Sequence, residues 1–543
     1  MKKLYVILAL CSAWVAGMAC TNFVVGKDAS TDGSTMVSYA ADSYALYGDL
    51  HFVPAADHAA DAVREVKDWD TGKPLCTIPQ VAHTYNVVGN MNEHQLAIGE
   101  TTWGGRPELE VGEGIDYGSL IYIALERCKT AREAIKCMTD LVAEYGYASS
   151  GETFSIADPN EVWLMELIGK GKVEKGAVWV ATRIPDDCIA AHANQARFTT
   201  INFKDKENWM WSKDVVKFAR KQGYFTGKDE EFNFQEAYAP YDFSGLYVCE
   251  ARVWAFFRKF SDDMDKYFDF ASGKTFVETG GKYAGERMPL YIKPNHKVSA
   301  QELKNCMRDQ YEGTPLDITQ GPDAGPWNSK LRYGSLGFQH DSVQYWFERP
   351  IATQQTAWSF VAQMRGYESA KAGGILWFGV DDAATSIYMP LYPTITAVPE
   401  CLKEGNGDLY TYSPTAAWWT FNIVANWAYT KYSAMLPDIQ KVQKAWEDKF
   451  NSRVEVVDKA VADLNAEQAT EWLTKYSCSQ AERSHLAWKE LCIYLFTKYL
   501  DGQQRKEQDG EFLRNAYGLP EGPNRVPYPT DFLQEIAPVV AHE

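Results

Sequence analysis

The stretch Cys20-Thr21-Asn22-Phe23-Val24-Val25-Gly26-Lys27, followed shortly by Asp32-Gly33-Ser34-Thr35-Met36, decides how this chain is read. Thr21 to Gly26 is dominated by β-branched and aromatic residues and predicts a strand. Asp28 to Ser34 ends in Asp-Gly-Ser turn chemistry, and Thr35 to Tyr39 predicts the returning strand. Cys20 therefore opens a β-hairpin.

What precedes Cys20 gives the position its meaning. Lys2 and Lys3 form a positive start, Leu4 to Ala16 a short apolar run, and Gly17-Met18-Ala19 puts small residues at the −3 and −1 positions of a cut. Residues 1–19 thus read as a signal peptide, and the product is expected to be exported, periplasmic or secreted. Cleavage after Ala19 would make Cys20 the first residue of the mature chain. An N-terminal cysteine joins a thiol of pKa about 8.5 to an α-amine of pKa about 8, so one residue supplies nucleophile and general base. Lipid attachment at Cys20 is the competing reading. It is disfavoured by Gly17, which stands where a lipoprotein signal usually carries a branched aliphatic residue, and it would consume both thiol and amine. The plain alternative is a Cys20 that is merely the first mature residue.

Working outward, strands are expected at His83–Val88, Gln95–Thr101, Thr153–Ala157, Val162–Ile168, Val178–Thr182 and Cys188–Ala193. Helices are expected at Tyr117–Cys128 and Ala131–Tyr145, the latter with Ala134, Ile135, Met138, Leu141 and Val142 on one face. A hairpin of Gly374–Val380 and Thr385–Leu391 is expected around Asp381-Asp382. From about Pro399 the pattern turns helical, at Ala416–Tyr429, Asp438–Phe450, Glu455–Tyr476 and Ser479–Leu500. These segments predict an α+β fold, with a catalytic domain over 20–398 and a helical C-terminal region over 399–543 packed on it.

The 543 residues, 46% of them hydrophobic, suffice for a large core. A net charge of −18 argues against binding nucleic acid or anionic membrane surfaces. After the leader no run reaches the roughly 18 apolar residues of a membrane span, so no membrane insertion is expected. The 11 cysteines fall at irregular spacings with no C-x-x-C pair, and read neither as a disulfide scaffold nor as a zinc site. There is no G-x-S-x-G, H-E-x-x-H or P-loop, and no histidine pair at zinc-ligand spacing, so neither metal nor organic cofactor is expected.

The opening block resembles the start of the mature bacterial cysteine dipeptidases of the dipeptidase A type. These are N-terminal-nucleophile hydrolases related to choloylglycine hydrolase and penicillin V acylase. Asn90 to Thr102, Asp158 to Glu166, Ile184 to Cys188, Cys249 to Trp254, Tyr311 to Pro315, Gly374 to Ser386 and Ala416 to Asn426 continue the likeness in the same order. The resemblance implies a four-layer αββα fold and hydrolysis of dipeptides through an acyl-enzyme thioester on Cys20. It further implies that Asp42 orients the α-amine of Cys20 and that Asn194 binds the oxyanion. Arg252 would hold the thiolate or a substrate carboxylate, and Glu100, Thr101, Thr102 and Trp103 would line the substrate pocket.

One departure stands out. The family carries Arg-Asn-x-Asp where this chain has Tyr39-Ala40-Ala41-Asp42, so Tyr39 replaces the arginine expected beside the thiol. Three alternatives stay open: an amidase of the same fold acting on conjugated bile acids or N-acyl amides, a lipid-anchored binding protein, and an inactive homologue. Side-chain specificity, cysteine pairing and homo-oligomer formation are not decided by the sequence.

Overall fold

The computed structural model describes residues 20–110, 112–332, 336–524 and 528–537. The expected leader lies outside the described residues.

The hairpin forms as read. Strands β1 (Thr21–Val25) and β2 (Thr35–Asp42) pair antiparallel, with Thr21 opposite Ala40 and Val25 opposite Met36. The Asp32 carboxylate closes the turn by accepting from the Ser34 amide at 3.1 Å. Every residue of both strands is buried, which marks them as the middle of a sandwich rather than a solvated face. The chain then builds an antiparallel meander, β3 (Ala97–Trp103), β4 (Gly151–Ala157), β5 (Val162–Gly169) and β6 (Ala177–Ile184). It returns as β7 (Ile189–His192) on the free edge of β1, with His192 opposite Asn22. Strands β8 (Thr356–Met364), β9 (Gly374–Val380) and β10 (Met389–Leu391) extend the sheet beyond β2.

Two sheets result. The first has seven strands, ordered Tyr291–Ile292, β7, β1, β2, β8, β9, β10; the second has eight and is built on β3–β6. They pack face to face through β1 and β2 against β3 and β4. Helices α1 (Tyr117–Arg127) and α2 (Ala131–Tyr145) cover the outer face of the second sheet. Helix α3 (Ala251–Phe257) packs on β7, and α4 (Ala417–Tyr429), α5 (Tyr432–Asn451) and α7 (Ala466–Lys498) pack on β9 and β10, with α6 (Val454–Val461) against α7. The architecture is the expected αββα sandwich with a helical C-terminal region. One core of buried apolar residues runs from Phe360 and Trp377 of the first sheet into Phe421 and Trp488 of the tail.

The two sheets approach closely beside Cys20. A Cβ on Gly99 of β3 would lie 2.4 Å from Oδ1 of Asn22 and 3.3 Å from Cβ of Tyr39, so a larger residue there would displace the Asn22 amide.

The structure corrects the reading in several places. The expected strand His83–Val88 is two short strands, His83–Thr84 and Val87–Val88, which belong to different sheets. Strand β8, central to the first sheet, was not expected. Residues 385–388 are not strand, because the buried Asp382 carboxylate folds that stretch into a turn by accepting from Lys330 Nζ at 2.5 Å, Tyr429 Oη at 2.6 Å and the Ala384 amide at 3.0 Å. In the tail, the expected helix Glu455–Tyr476 is broken at 462–465, where Asn465 caps α7 by accepting from the Gln468 amide at 2.9 Å. Helix α7 then runs unbroken through Ser477 and Cys478.

Candidate active site

Cys20 sits immediately ahead of β1 and is wholly buried. Its Sγ lies 3.5 Å from Oη of Tyr39, which in turn donates to Oε1 of Glu100 at 2.7 Å. The residue that replaces the family arginine therefore still faces the thiol, but brings a hydroxyl in place of a charge. Burial first, then the charges of Glu100 and Asp42, push the Cys20 thiol well above its ordinary value. Hydrogen bonds from Tyr39 and from the Asp42 main chain oppose that rise. The groups raising it are acids, so a cation brought to this spot would favour the thiolate.

Arg252 enters from α3, directly after a π-helical segment at Gly245–Glu250. Its Nη1 donates to the Cys20 carbonyl at 2.7 Å and to Thr21 Oγ1 at 2.8 Å. Its Nη2 donates to Asn194 Oδ1 at 2.9 Å and the Ala193 carbonyl at 3.3 Å. The guanidinium thus grips the main chain of Cys20 and the side chain of Asn194 together, rather than the thiol itself. Asn194, in the left-handed region at φ 60°, donates through Nδ2 to the Thr102 carbonyl at 2.6 Å.

Strand β3 has a neighbour on the Asn90 side only near Ala97, so its later residues present an open edge. Asn22 and Asn194 cover that edge, donating to the carbonyls of Glu100 and Thr102. Side chains of the same segment are locked from below. Thr101 Oγ1 is 2.7 Å from Nδ1 of His192, Thr102 Oγ1 donates to Glu152 Oε1 at 2.8 Å, and Trp103 Nε1 donates to Thr153 Oγ1 at 3.0 Å. His192 is also bound by Ser155 at 2.7 Å, and burial holds its pKa well below the ordinary value, so it is a neutral tie between the sheets.

Asp42 lies at the end of β2. Its carboxylate is taken by Arg349 Nη2 at 2.5 Å and Thr356 Oγ1 at 2.7 Å, while its main chain faces the Cys20 thiol. The six residues Cys20, Asp42, Glu100, Thr102, Asn194 and Arg252 are thus brought to one place. Thr101 and Trp103 brace it.

Several members were not anticipated. Glu152 of β4 lies against Glu100, and burial with the charge of Glu100 pushes its carboxyl well above the usual range. Glu100 is raised by burial as well. Its neighbourhood includes Tyr117 and Asp70, joined by a 3.0 Å hydrogen bond. The signal for Glu152 was an acid within a strand whose other residues are all buried. Beside Tyr39, Trp358 meets its ring edge-on at 6.5 Å and lines a cleft with Asp49, His51, Trp69, Tyr122 and Glu404. Burial and Glu404 push Asp49 up to about 6.

Cys20 is thus a buried cysteine at the start of a central sandwich strand, its carbonyl held by the Arg252 guanidinium. Residues 19–445 match Peptidase family C69, and the chain belongs to that family. It is 25% identical over 499 residues to a probable dipeptidase of Latilactobacillus sakei, covering 88% of this chain and 95% of that protein. It is also 26% identical over 397 residues to a probable dipeptidase of Salmonella dublin, covering 69% and 81%. With a dipeptidase of Bifidobacterium longum it shares 25% identity over 425 residues, 71% and 73% of the two chains.

Proposed function

We propose that this chain is an exported dipeptidase whose nucleophile is Cys20, freed as the N-terminal residue by cleavage after Ala19. The observation that carries the reading is the buried Cys20 whose carbonyl is fixed by Arg252 and whose thiol faces Tyr39 and Glu100. In the mature chain the α-amine takes the Sγ proton and the resulting ammonium offsets the acids around the thiolate. The thiolate adds to the substrate carbonyl. Asn194 Nδ2 and a main-chain amide on the open edge of β3 bind the oxyanion. The ammonium then protonates the departing amine as the C–N bond breaks, leaving a thioester on Cys20. Water, deprotonated by the same amine, hydrolyses that thioester and returns the free thiol.

The acids around the site favour a dipeptide over the N-acylated amides of the rival reading. Glu100 with Glu152, and Asp49 with Glu404 in the adjoining cleft, suit the free ammonium of a dipeptide, which a conjugated bile acid lacks.

Intact mass and N-terminal analysis of the exported protein, paired with turnover of dipeptides, N-acetyl dipeptides and glycine-conjugated bile acid, tests the reading. A free N-terminal Cys20 with dipeptide turnover lost in Cys20→Ala is the expected result. A lipid-modified Cys20, or unchanged turnover in Cys20→Ala, overturns it. Preference for the conjugated or acetylated substrates moves the chain to the amidase reading.

A further inference from the structure

Far from Cys20 in sequence, a different set of side chains converges where the helical tail meets the sandwich. Cys401 lies in the helical turn Glu400–Leu402 that follows the last strand of the first sheet. Glu482 and His485 lie one turn apart on α7. The thiol sulfur, a carboxylate oxygen and an imidazole nitrogen all fall within 4.8 Å of one another, and Cys401 and His485 are buried. Cysteine, glutamate and histidine are the three side chains that zinc accepts in mixed sites.

The surroundings hold these groups in a ligating arrangement. Oε1 of Glu482 accepts from the main-chain amide of Cys401 at 3.0 Å, which fixes the carboxylate beside the sulfur. Nε2 of His485 is paired with Thr420 Oγ1 at 2.8 Å, and that hydroxyl lies 3.3 Å from the Ala416 carbonyl. With the hydroxyl donating to that carbonyl, Thr420 accepts from Nε2–H, which leaves Nδ1 as the nitrogen free to ligate. A second hydrogen bond of this kind is how proteins orient a metal-bound histidine. One thiolate and one carboxylate cancel the charge of a dication, which a buried site requires. A tetrahedral zinc holds such ligand atoms ~3.3–3.8 Å apart, so about 1 Å of side-chain adjustment closes the set.

We propose that Cys401, Glu482 and His485 bind a zinc-like divalent cation that staples the tail to the sandwich. Binding exchanges the Cys401 thiol proton for a sulfur–metal bond, and water fills the fourth position. The staple joins α7 to the segment whose Leu402 carbonyl accepts from the Leu50 amide at 2.7 Å, just beyond β2. His51 and Glu404, whose side chains pair at 2.6 Å and line the cleft beside Tyr39, flank that junction. The ligands come from segments 81 residues apart, so no spacing motif reveals them. The role is structural and independent of the Cys20 chemistry.

The full chain, stripped with chelator, is equilibrated with Zn2+, desalted and assayed for bound metal, and in parallel titrated with Co2+. About one zinc per chain is expected, with a near-ultraviolet thiolate-to-cobalt band and a higher melting midpoint. Cys401→Ser should lose the band and weaken zinc binding at least ~100-fold, whereas Cys20→Ala should keep both. If Cys401→Ser fails to fold, Glu482→Gln at its half-buried position decides, with binding weakened at least ~10-fold. Substoichiometric zinc in the wild-type chain, or zinc and the cobalt band persisting in both ligand variants, overturns the proposal.

Discussion

Arg252 Nη1 donates to the main-chain carbonyl of Cys20 at 2.7 Å while Nη2 of the same guanidinium donates to Oδ1 of Asn194 at 2.9 Å. One buried cation therefore sets the distance between the proposed nucleophile and the proposed oxyanion donor. The two are held from a helix more than 230 residues away from Cys20.

Arg252→Lys should separate positioning from chemistry. A single ammonium cannot span both partners, since it lacks the planar fork. We expect kcat for dipeptides to fall about 100-fold with KM changed less than about threefold, because the loss is felt chiefly in the transition state. Cys20 should still be alkylated by iodoacetamide, which reports that the nucleophile is present. A rise in KM with kcat intact would show instead that Arg252 binds substrate.

Tyr39 is read most directly through the thiol it touches. Its hydroxyl lowers the Cys20 pKa against burial and the neighbouring acids. In Tyr39→Phe the inflection of alkylation rate against pH should therefore move up, and turnover near neutrality should fall about tenfold. Tyr39→Arg restores the family residue and places a cation between Cys20 and Glu100, so the inflection should move down. Coincident profiles for all three chains would remove Tyr39 from the site's electrostatics.

The carboxyl pair gives a contrast between two similar substitutions. Burial and the charge of Glu100 drive Glu152 well toward its neutral form, further than burial drives Glu100, so a proton shared by the pair rests on Glu152 and the charge on Glu100. Glu152→Gln mimics the neutral acid and should change dipeptide KM less than about threefold at pH 7. Glu100→Gln removes the charge that faces a substrate ammonium and should raise KM about 30-fold or more. The preference for dipeptides over their N-acetyl forms should shrink in Glu100→Gln alone. Equal effects of the two substitutions would sink the assignment of the charge.

Local order explains how much of this was legible. The β1–β2 hairpin, the face of α2 and the strands β4–β6 follow from alternation and turn residues within a dozen positions. Strand β8 was missed because it is buried on both faces and carries a bulge between Thr356 and Trp358, which erases the alternation that marks a strand. Asp42 was found by resemblance, but its partner Arg349 lies 307 residues on, and no local period reports such a contact. The same holds for Cys401 with Glu482. Glu152 was an acid in a wholly buried strand, and its meaning depended on a neighbour, Glu100, brought in by the pairing of β3 with β4.

Asp381 provides a test of stability against pH that is separate from catalysis. Burial pushes its carboxyl up to about 7, and its Oδ1 accepts from Asn422 Nδ2 at 2.9 Å. In the unfolded chain the same group titrates near 3.9. Between these values the folded state holds a proton that the unfolded state has lost. The stabilisation from Asp381 is therefore complete below about pH 4 and disappears as pH rises through about 7. Asp381→Asn mimics the protonated acid at every pH and retains the acceptor for Asn422. It also suits the left-handed backbone at φ 63°. We expect the variant to match the wild type near pH 4 and to gain about 1–3 kcal/mol over it by pH 8. Melting curves of both chains across that range decide the matter, and parallel curves would mean that Asp381 is ionised in the fold despite its burial.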